Sequence, residues 1–92
     1  MSDAKTEYEA LIHQFLCGNL PVNEFQIEYM SKFKGEKRIL SVNLYELLEE
    51  IFGCVDSFTT DFELLSEKPN FYMTESQLRE RLQTTVRRLR LI

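Results

Sequence analysis

Residues 44–58 read LYELLEEIFGCVDSF, and they show the clearest helical periodicity in the chain. Apolar side chains recur there every three or four residues, which is the spacing that places them on one side of an α-helix. The apolar stripe consists of Leu44, Leu47, Leu48, Ile51, Val55 and Phe58. The spacing therefore predicts a helix over 44–58 that buries this stripe. Asn43 is the expected N-cap, with Glu46 completing a capping box.

Gly53 lies in the middle of this predicted helix. Glycine inside a helix costs about 1 kcal/mol relative to alanine. We interpret Gly53 as a position that lets a neighbouring helix approach closely.

Three further helices are predicted from the same type of apolar spacing, over residues 4–17, 22–34 and 75–89. Gly18 is expected to end the first helix, because glycine adopts the left-handed backbone conformation readily. Pro21 suits the first turn of the second helix, where its missing N–H would be unpaired anyway. Thr74 and Gln77 form a capping box at the start of the last helix.

The segment over 59–73 is a long connection with a short turn at 62–65. Its apolar side chains predict that it packs on the helices; they are Phe62, Leu64, Leu65, Phe71 and Tyr72. The expected fold is therefore all-α, an antiparallel four-helix bundle with a long loop before the last helix. The 92 residues fit one domain, spanning 1–92.

The composition narrows the functional classes. The net charge of −4 at pH 7 argues against a chain that binds nucleic acid or a membrane surface directly. Cys17 and Cys54 are widely spaced within apolar patterns, so we expect reduced, buried thiols rather than a disulfide framework. The first residues lack the apolar region of a signal peptide, and no run reaches the ~20 apolar residues of a membrane span. The expected location is the cytoplasm.

Acidic residues are concentrated in the middle of the chain. Residues 39–67 contain seven Asp and Glu and no Lys or Arg, whereas residues 68–92 carry a net charge of +4. On the predicted helix, Glu46, Glu49, Glu50 and Asp56 project opposite the apolar stripe, and Asp61 and Glu63 continue the acidity. This surface is either an ordinary solvated helix face or a binding face for a basic partner.

Arginines dominate the C-terminal end, where Arg79, Arg81, Arg87, Arg88 and Arg90 occur. They either contact RNA phosphates, or they neutralise the acidic helix and interact favourably with the negative end of their own helix dipole. No aromatic interleaving or known nucleic-acid motif accompanies them.

No set of residues carries a recognisable catalytic pattern. His13 and Cys17 are four residues apart and share a helix face, but a structural zinc site needs four ligands. His13 is expected at the edge of the core beside a buried thiol. Glu49 and Glu50 lie on an exposed helix without an apolar pocket to raise either pKa. We therefore expect no enzymatic activity, no cofactor and no metal site.

Several motifs, taken in order, resemble the bacterial self-protective, colicin-like immunity proteins over roughly residues 11–90. The motifs are Phe15-Leu16-x-x-x-Leu20-x-Val22-x-Glu24-Phe25, Leu48-Glu49-Glu50-Ile51-Phe52, Asp56-x-Phe58-x-x-Asp61, Tyr72, and Gln77-Leu78-Arg79-Glu80-Arg81-Leu82. Their order and spacing carry the similarity, since none is specific alone. The colicin D type and the immunity proteins of contact-dependent inhibition systems are the members that it suggests.

The resemblance implies a function as well as a fold. It implies a four-helix bundle that neutralises a cognate transfer-RNA-cleaving nuclease in a 1:1 complex, with acidic side chains standing in for RNA phosphates. The positions matching the acidic pattern are Glu49, Glu50, Asp56 and Asp61. The chain is expected to be monomeric when free.

Two other hypotheses remain open. The chain would be a small RNA-binding regulator if Arg87, Arg88 and Arg90 contact RNA. It would be an adaptor or homodimer if Phe62, Phe71 or Tyr72 form a protein interface.

Overall fold

The computed structural model describes residues 3–68 and 71–91, and these residues form an all-helical structure. The helices are α1 (Ala4–Leu16), α2 (Val22–Lys34), α3 (Val42–Ser57), α4 (Phe62–Glu67) and α5 (Glu75–Arg90). The four long helices match the predicted ones to within two residues at each end. The short helix α4 extends the turn predicted at 62–65.

The predicted N-cap of α3 is wrong. The helix begins earlier, at Val42, and Ser41 is its N-cap, with the hydroxyl oxygen accepting a hydrogen bond from the N–H of Leu44 at 3.3 Å. Asn43 therefore lies inside the helix, and Glu46 is not in a capping box. The physical reason is that Ser41 has the extended backbone of a cap and an oxygen that reaches the first turn.

Other helix ends follow the sequence more closely. Gly18 has a φ of 84°, the left-handed conformation predicted after α1. The capping box of Thr74 and Gln77 is present at α5. Pro21 is the N-cap of α2 and does not belong to its first turn, because the helix begins at Val22.

The core lies between the four long helices, because α1 contacts α2 and α5, and α3 contacts α2 and α5. Aromatic rings join α1 to α2: Phe15 stacks on Phe25 with centroids 4.6 Å apart, and Tyr8 meets Tyr29 edge-on at 5.7 Å. The buried Tyr29 hydroxyl donates to the carbonyl of Leu48 at 2.8 Å, which links α2 to α3. This bond satisfies a polar group that burial would otherwise leave unpaired.

The apolar stripe predicted for α3 is buried as expected, and all six of its residues belong to the core. The interpretation of Gly53 is wrong. Gly53 is exposed, and a Cβ built there would have no heavy atom of a described neighbour within 4 Å. No helix therefore packs against this point of α3 in the described residues. The glycine lies on the outer side of the helix.

The connection between α2 and α3 is held by a polar network. Arg38 contacts Glu36 at 2.7 Å and Glu7 at 2.9 Å, and Glu7 also contacts Lys32 at 2.8 Å. The Tyr8 hydroxyl donates to Glu36 at 3.0 Å. The network ties the start of α1 to the end of α2 and the chain that follows it.

The segment between α3 and α5, residues 59–72, is anchored at both ends, and we call it the excursion; residues 69 and 70 lie outside the described residues. Phe58 and Met73 form an isolated parallel bridge. The Met73 N–H donates to the carbonyl of Ser57 at 2.8 Å, and the Thr59 N–H donates to that of Met73 at 3.0 Å. Met73, at the end of the predicted segment over 59–73, packs against the core, so the prediction that the segment packs on the helices is confirmed there, and Tyr72 is partly buried.

Candidate functional site

The acidic side chains of α3 share its outer side. Glu46, Glu49, Glu50 and Asp56 are all exposed, while the apolar stripe behind them is buried. The separation of the two faces follows from the spacing, because residues three, four and seven apart project in similar directions from a helix. The structure therefore brings these four predicted residues onto one surface. We call Glu46, Glu49, Glu50 and Asp56 the acidic face.

Glu50 differs from the other members because it has an internal partner. Its carboxylate lies 2.9 Å from the guanidinium of Arg88 on α5. Both side chains remain substantially exposed, at 41% for Glu50 and 56% for Arg88, so solvent weakens the attraction. This ion pair could not be predicted from the absence of Lys and Arg in residues 39–67, because Arg88 approaches Glu50 only in the folded chain.

Glu46, Glu49 and Asp56 make no ion pair with any described residue. Glu49 borders a cavity of about 410 Å³ between α2 and α3, which is also lined by the rings of Phe33, Tyr45 and Phe52 and by the basic residues Lys34 and Arg38. A partner contacting Glu49 would meet both charge and aromatic surface there. Asp56 borders a smaller cavity that it shares with Lys68 and Phe71.

Asp61 and Glu63 lie in the excursion, beyond the end of α3. Asp61 is the N-cap of α4, and its carboxylate accepts hydrogen bonds from the N–H groups of Glu63 at 2.9 Å and Leu64 at 3.4 Å. Asp61 therefore has a structural role that the sequence analysis did not assign. The signal was present, since an aspartate directly before an apolar run is a typical helix start. Glu63 is exposed in the first turn of α4.

A furrow runs between α3 and α5. Its largest part, about 610 Å³, is bordered by Glu50, Phe71, Arg81 and Arg88 among others. A second part of about 370 Å³ continues past Glu50 and Arg88 to Glu46. The α3 side contributes the carboxylates of Glu46 and Glu50, and the α5 side contributes the guanidiniums of Arg81 and Arg88 together with the carboxylate of Glu80. This furrow could not be predicted from local sequence patterns, because it forms only where α3 and α5 pack together in the folded chain.

Two large aromatic side chains of the excursion project into solvent. Phe62 is 83% exposed and Phe71 is 71% exposed. The expectation that these rings pack on the helices is therefore wrong. Burial of the excursion is carried by the bridge to Phe58 and by Leu64, Leu65 and Tyr72, which are partly buried. Exposed aromatics beside charged groups are common in protein interfaces.

The cysteines occupy different environments. Cys54 is buried, and burial raises the pKa of its thiol. Cys17 is exposed, so the prediction of a second buried thiol is wrong; it follows the last residue of α1, where the chain turns outward. Its Sγ lies 3.2 Å from Nε2 of His13, which is itself exposed. Across residues 3–68 and 71–91, no three His, Cys, Asp or Glu side chains converge as metal ligands would.

None of the helices in the described residues combines the length and apolarity needed to cross a membrane.

Comparison with known proteins gives one positive result. The family model described as "Bacterial self-protective colicin-like immunity" matches residues 4–89. No curated protein and no solved structure matches the chain significantly. The matched range contains all five helices almost completely, together with the acidic face and the excursion.

Proposed function

Because the chain belongs to the bacterial self-protective colicin-like immunity family, we propose that it binds and neutralises a cognate nuclease toxin of the transfer-RNA-cleaving type. The acidic face covers the toxin's active site and its basic RNA-binding surface. Carboxylates can occupy such a surface because it is built to attract phosphate groups. Asp61 and Glu63 extend the contact into the excursion.

The observation that carries the proposal is that Glu46, Glu49 and Asp56 are exposed and have no ion pair within the described residues. Like charges on one helix face repel one another, which slightly destabilises the free protein. A basic partner removes that repulsion and gains from complementary charge. The acidic face is therefore better suited to the complex than to the free chain.

Several finer features belong to the same proposal. The complex is 1:1, the free chain is a monomer, and inhibition needs no catalysis, cofactor or metal. The chain acts in the cytoplasm, in a colicin or a contact-dependent inhibition system. Residues 1–92 form one domain, with the four long helices in an antiparallel bundle. The short connection between α1 and α2, which are packed neighbours, favours antiparallel helices.

A double charge reversal tests the acidic face. The variant Glu49→Lys with Asp56→Lys changes the net charge from −4 to 0, because each substitution adds two positive charges. We expect it to abolish protection of cells that express the cognate nuclease toxin. The affinity for the purified nuclease domain should fall at least 100-fold, since attraction becomes repulsion. Helical content by circular dichroism should stay the same.

The matched control is Glu24→Lys with Glu28→Lys, two exposed acids of α2 that produce the same change in net charge. Protection should survive in this control. Equal loss of protection in both variants would show that overall charge matters rather than the acidic face. Full protection by the α3 variant would refute the proposed surface.

The alternative of RNA binding through α5 has less support. Of the three arginines in that hypothesis, Arg88 and Arg90 lie within 3.0 Å of the carboxylates of Glu50 and Glu9, while Arg87 forms no ion pair with a described residue. Phosphates would have to displace these partners. The adaptor or homodimer hypothesis is based on the exposure of Phe62 and Phe71. The same exposed rings would serve equally well in a complex with the toxin, so they do not favour this hypothesis over the proposed function.

A further inference from the structure

Gly53 occupies the centre of the acidic face. Glu49 and Glu50 lie four and three residues before it, and Asp56 lies three residues after it. On a helix these positions surround a common point, because residues three and four apart are surface neighbours. The acidic face therefore has carboxylates around a middle position that carries no side chain.

Among the described residues, no contact and no backbone conformation requires a glycine at this position. Gly18 is needed for its positive φ, but Gly53 has ordinary helical backbone. A Cβ at Gly35 would approach the carbonyl oxygen of Ser31 at 3.2 Å, whereas a Cβ at Gly53 would meet no described atom within 4 Å. An alanine would fit there and would favour the helix. The glycine lowers the stability of α3 without a structural gain in the free chain.

The missing side chain leaves the backbone of α3 open from the outside. Gly53 is exposed, and its carbonyl already accepts a hydrogen bond from the Ser57 hydroxyl at 2.8 Å. An approaching molecule can therefore contact the helix backbone directly without leaving that carbonyl unpaired. Small residues allow such close approach wherever two elements pack tightly. The surrounding carboxylates then stand around a point where the helix backbone is not covered by a side chain.

We propose that the nuclease packs a segment of its basic surface directly onto the backbone of α3 at Gly53. Lysine or arginine side chains flanking that segment reach Glu49 and Asp56, which lie on either side of Gly53. The proposal rests on the proposed function and adds where the closest contact lies. Charge complementarity identifies the occupant, since the residues around Gly53 are acidic and the nuclease surface must be basic to bind RNA.

The test uses two substitutions, Gly53→Ala and Gly53→Leu, in the full chain. The probe is the purified nuclease domain of the toxin that the native chain neutralises in the protection assay. We expect Gly53→Ala to raise the urea midpoint of the free protein and to weaken toxin binding at least 10-fold. Gly53→Leu should weaken binding more than 100-fold, because a larger side chain keeps the surfaces further apart. Increased stability combined with reduced affinity is the result that a purely structural role does not produce.

Ser31→Ala is the matched control. Ser31 is an exposed residue of α2, and the change also favours the helix without touching the acidic face. It should raise stability and leave toxin affinity unchanged. Native-like binding by both Gly53 variants would overturn the close contact while the proposed function stands. If the native chain does not bind the nuclease, the proposed function fails and this inference fails with it.

Discussion

Arg88 partly neutralises the negative charge of the acidic face, because its guanidinium forms an exposed ion pair with Glu50 at 2.9 Å. Such pairs contribute at most about 1 kcal/mol to stability. Arg88→Gln should therefore change the free energy of unfolding by less than about 0.5 kcal/mol. It should speed association with the basic nuclease several-fold at low salt, since it releases a carboxylate and removes a positive charge. Stopped-flow kinetics would measure this.

The same variant separates the two charge-based hypotheses. An RNA-binding role for α5 predicts that Arg88→Gln weakens RNA affinity and does nothing for the nuclease. Arg87→Gln is the control, because Arg87 is exposed and forms no ion pair with a described residue. A slower association of Arg88→Gln with the nuclease would contradict the proposed role of Glu50.

Single residues were predicted well where a local rule governs them. The capping box of Thr74 and Gln77 and the conformation of Gly18 depend only on nearby backbone, so the sequence was sufficient. Ser41 was missed because two polar residues near the start of α3 compete as caps, and only the backbone distinguishes them. Cys17 was assigned to the core by its apolar neighbours, although it lies just past the end of α1.

At the scale of elements, the excursion carries exposed aromatic surface beside the acidic face. Phe62→Ala should lower toxin affinity at least 10-fold, since aromatic side chains often dominate binding energy in interfaces. Stability should change by less than about 0.5 kcal/mol, because Phe62 is 83% exposed in the free protein. Isothermal titration calorimetry and urea unfolding would give the two quantities.

Ile39→Ala serves as the control for this prediction. Ile39 is an exposed apolar residue in the connection between α2 and α3, at 102% relative exposure, and it lies outside the excursion. Its truncation should leave toxin affinity unchanged. An unchanged affinity for Phe62→Ala as well would remove the excursion from the interface.

The long helices were predictable because each has an apolar stripe, and a stripe is a property of local spacing. The excursion was predictable only in part. Its position and its short turn follow from the sequence, but the direction of Phe62 and Phe71 does not. Apolar composition suggests burial, whereas the bridge between Phe58 and Met73 fixes this segment by its backbone and leaves those rings outside.

At the scale of the whole molecule, the network around Glu36 links α1, α2 and the chain leading to α3. Hydrogen bonds from Arg38 lower the pKa of Glu36 to about 2, from an ordinary value of 4.5. A carboxyl whose pKa is lower in the folded state stabilises the protein above its unfolded pKa. This contribution should be complete above about pH 4.5 and should disappear as the pH falls toward 2.

Glu36→Gln tests this contribution. It should reduce the free energy of unfolding at pH 7 by on the order of 1 kcal/mol. The difference from the native chain should shrink as the pH falls from about 4.5 toward 2, because the unfolded chain then binds a proton at Glu36 while the folded carboxyl stays ionised. Urea unfolding across this pH range would measure it, with the exposed Glu28→Gln as control. A difference that does not vary with pH would assign the effect to packing instead.

The positions of charged residues on a single helix were predictable, but the charge pairs between distant parts of the chain were not. The outward direction of Glu46, Glu49, Glu50 and Asp56 follows from helix geometry, and the structure agrees. The approach of Arg88 to Glu50 and the furrow between α3 and α5 depend on tertiary packing. No local pattern contains that information.

The backbone bridge between Phe58 and Met73 has a consequence for how members of this family diverge. It holds the two ends of the excursion, residues 59–72, next to each other. After gene duplication, one copy can change the sequence or length of the excursion while the residues that form the long helices stay the same. Under the proposed function, such a change would alter toxin recognition while the four long helices keep their packing.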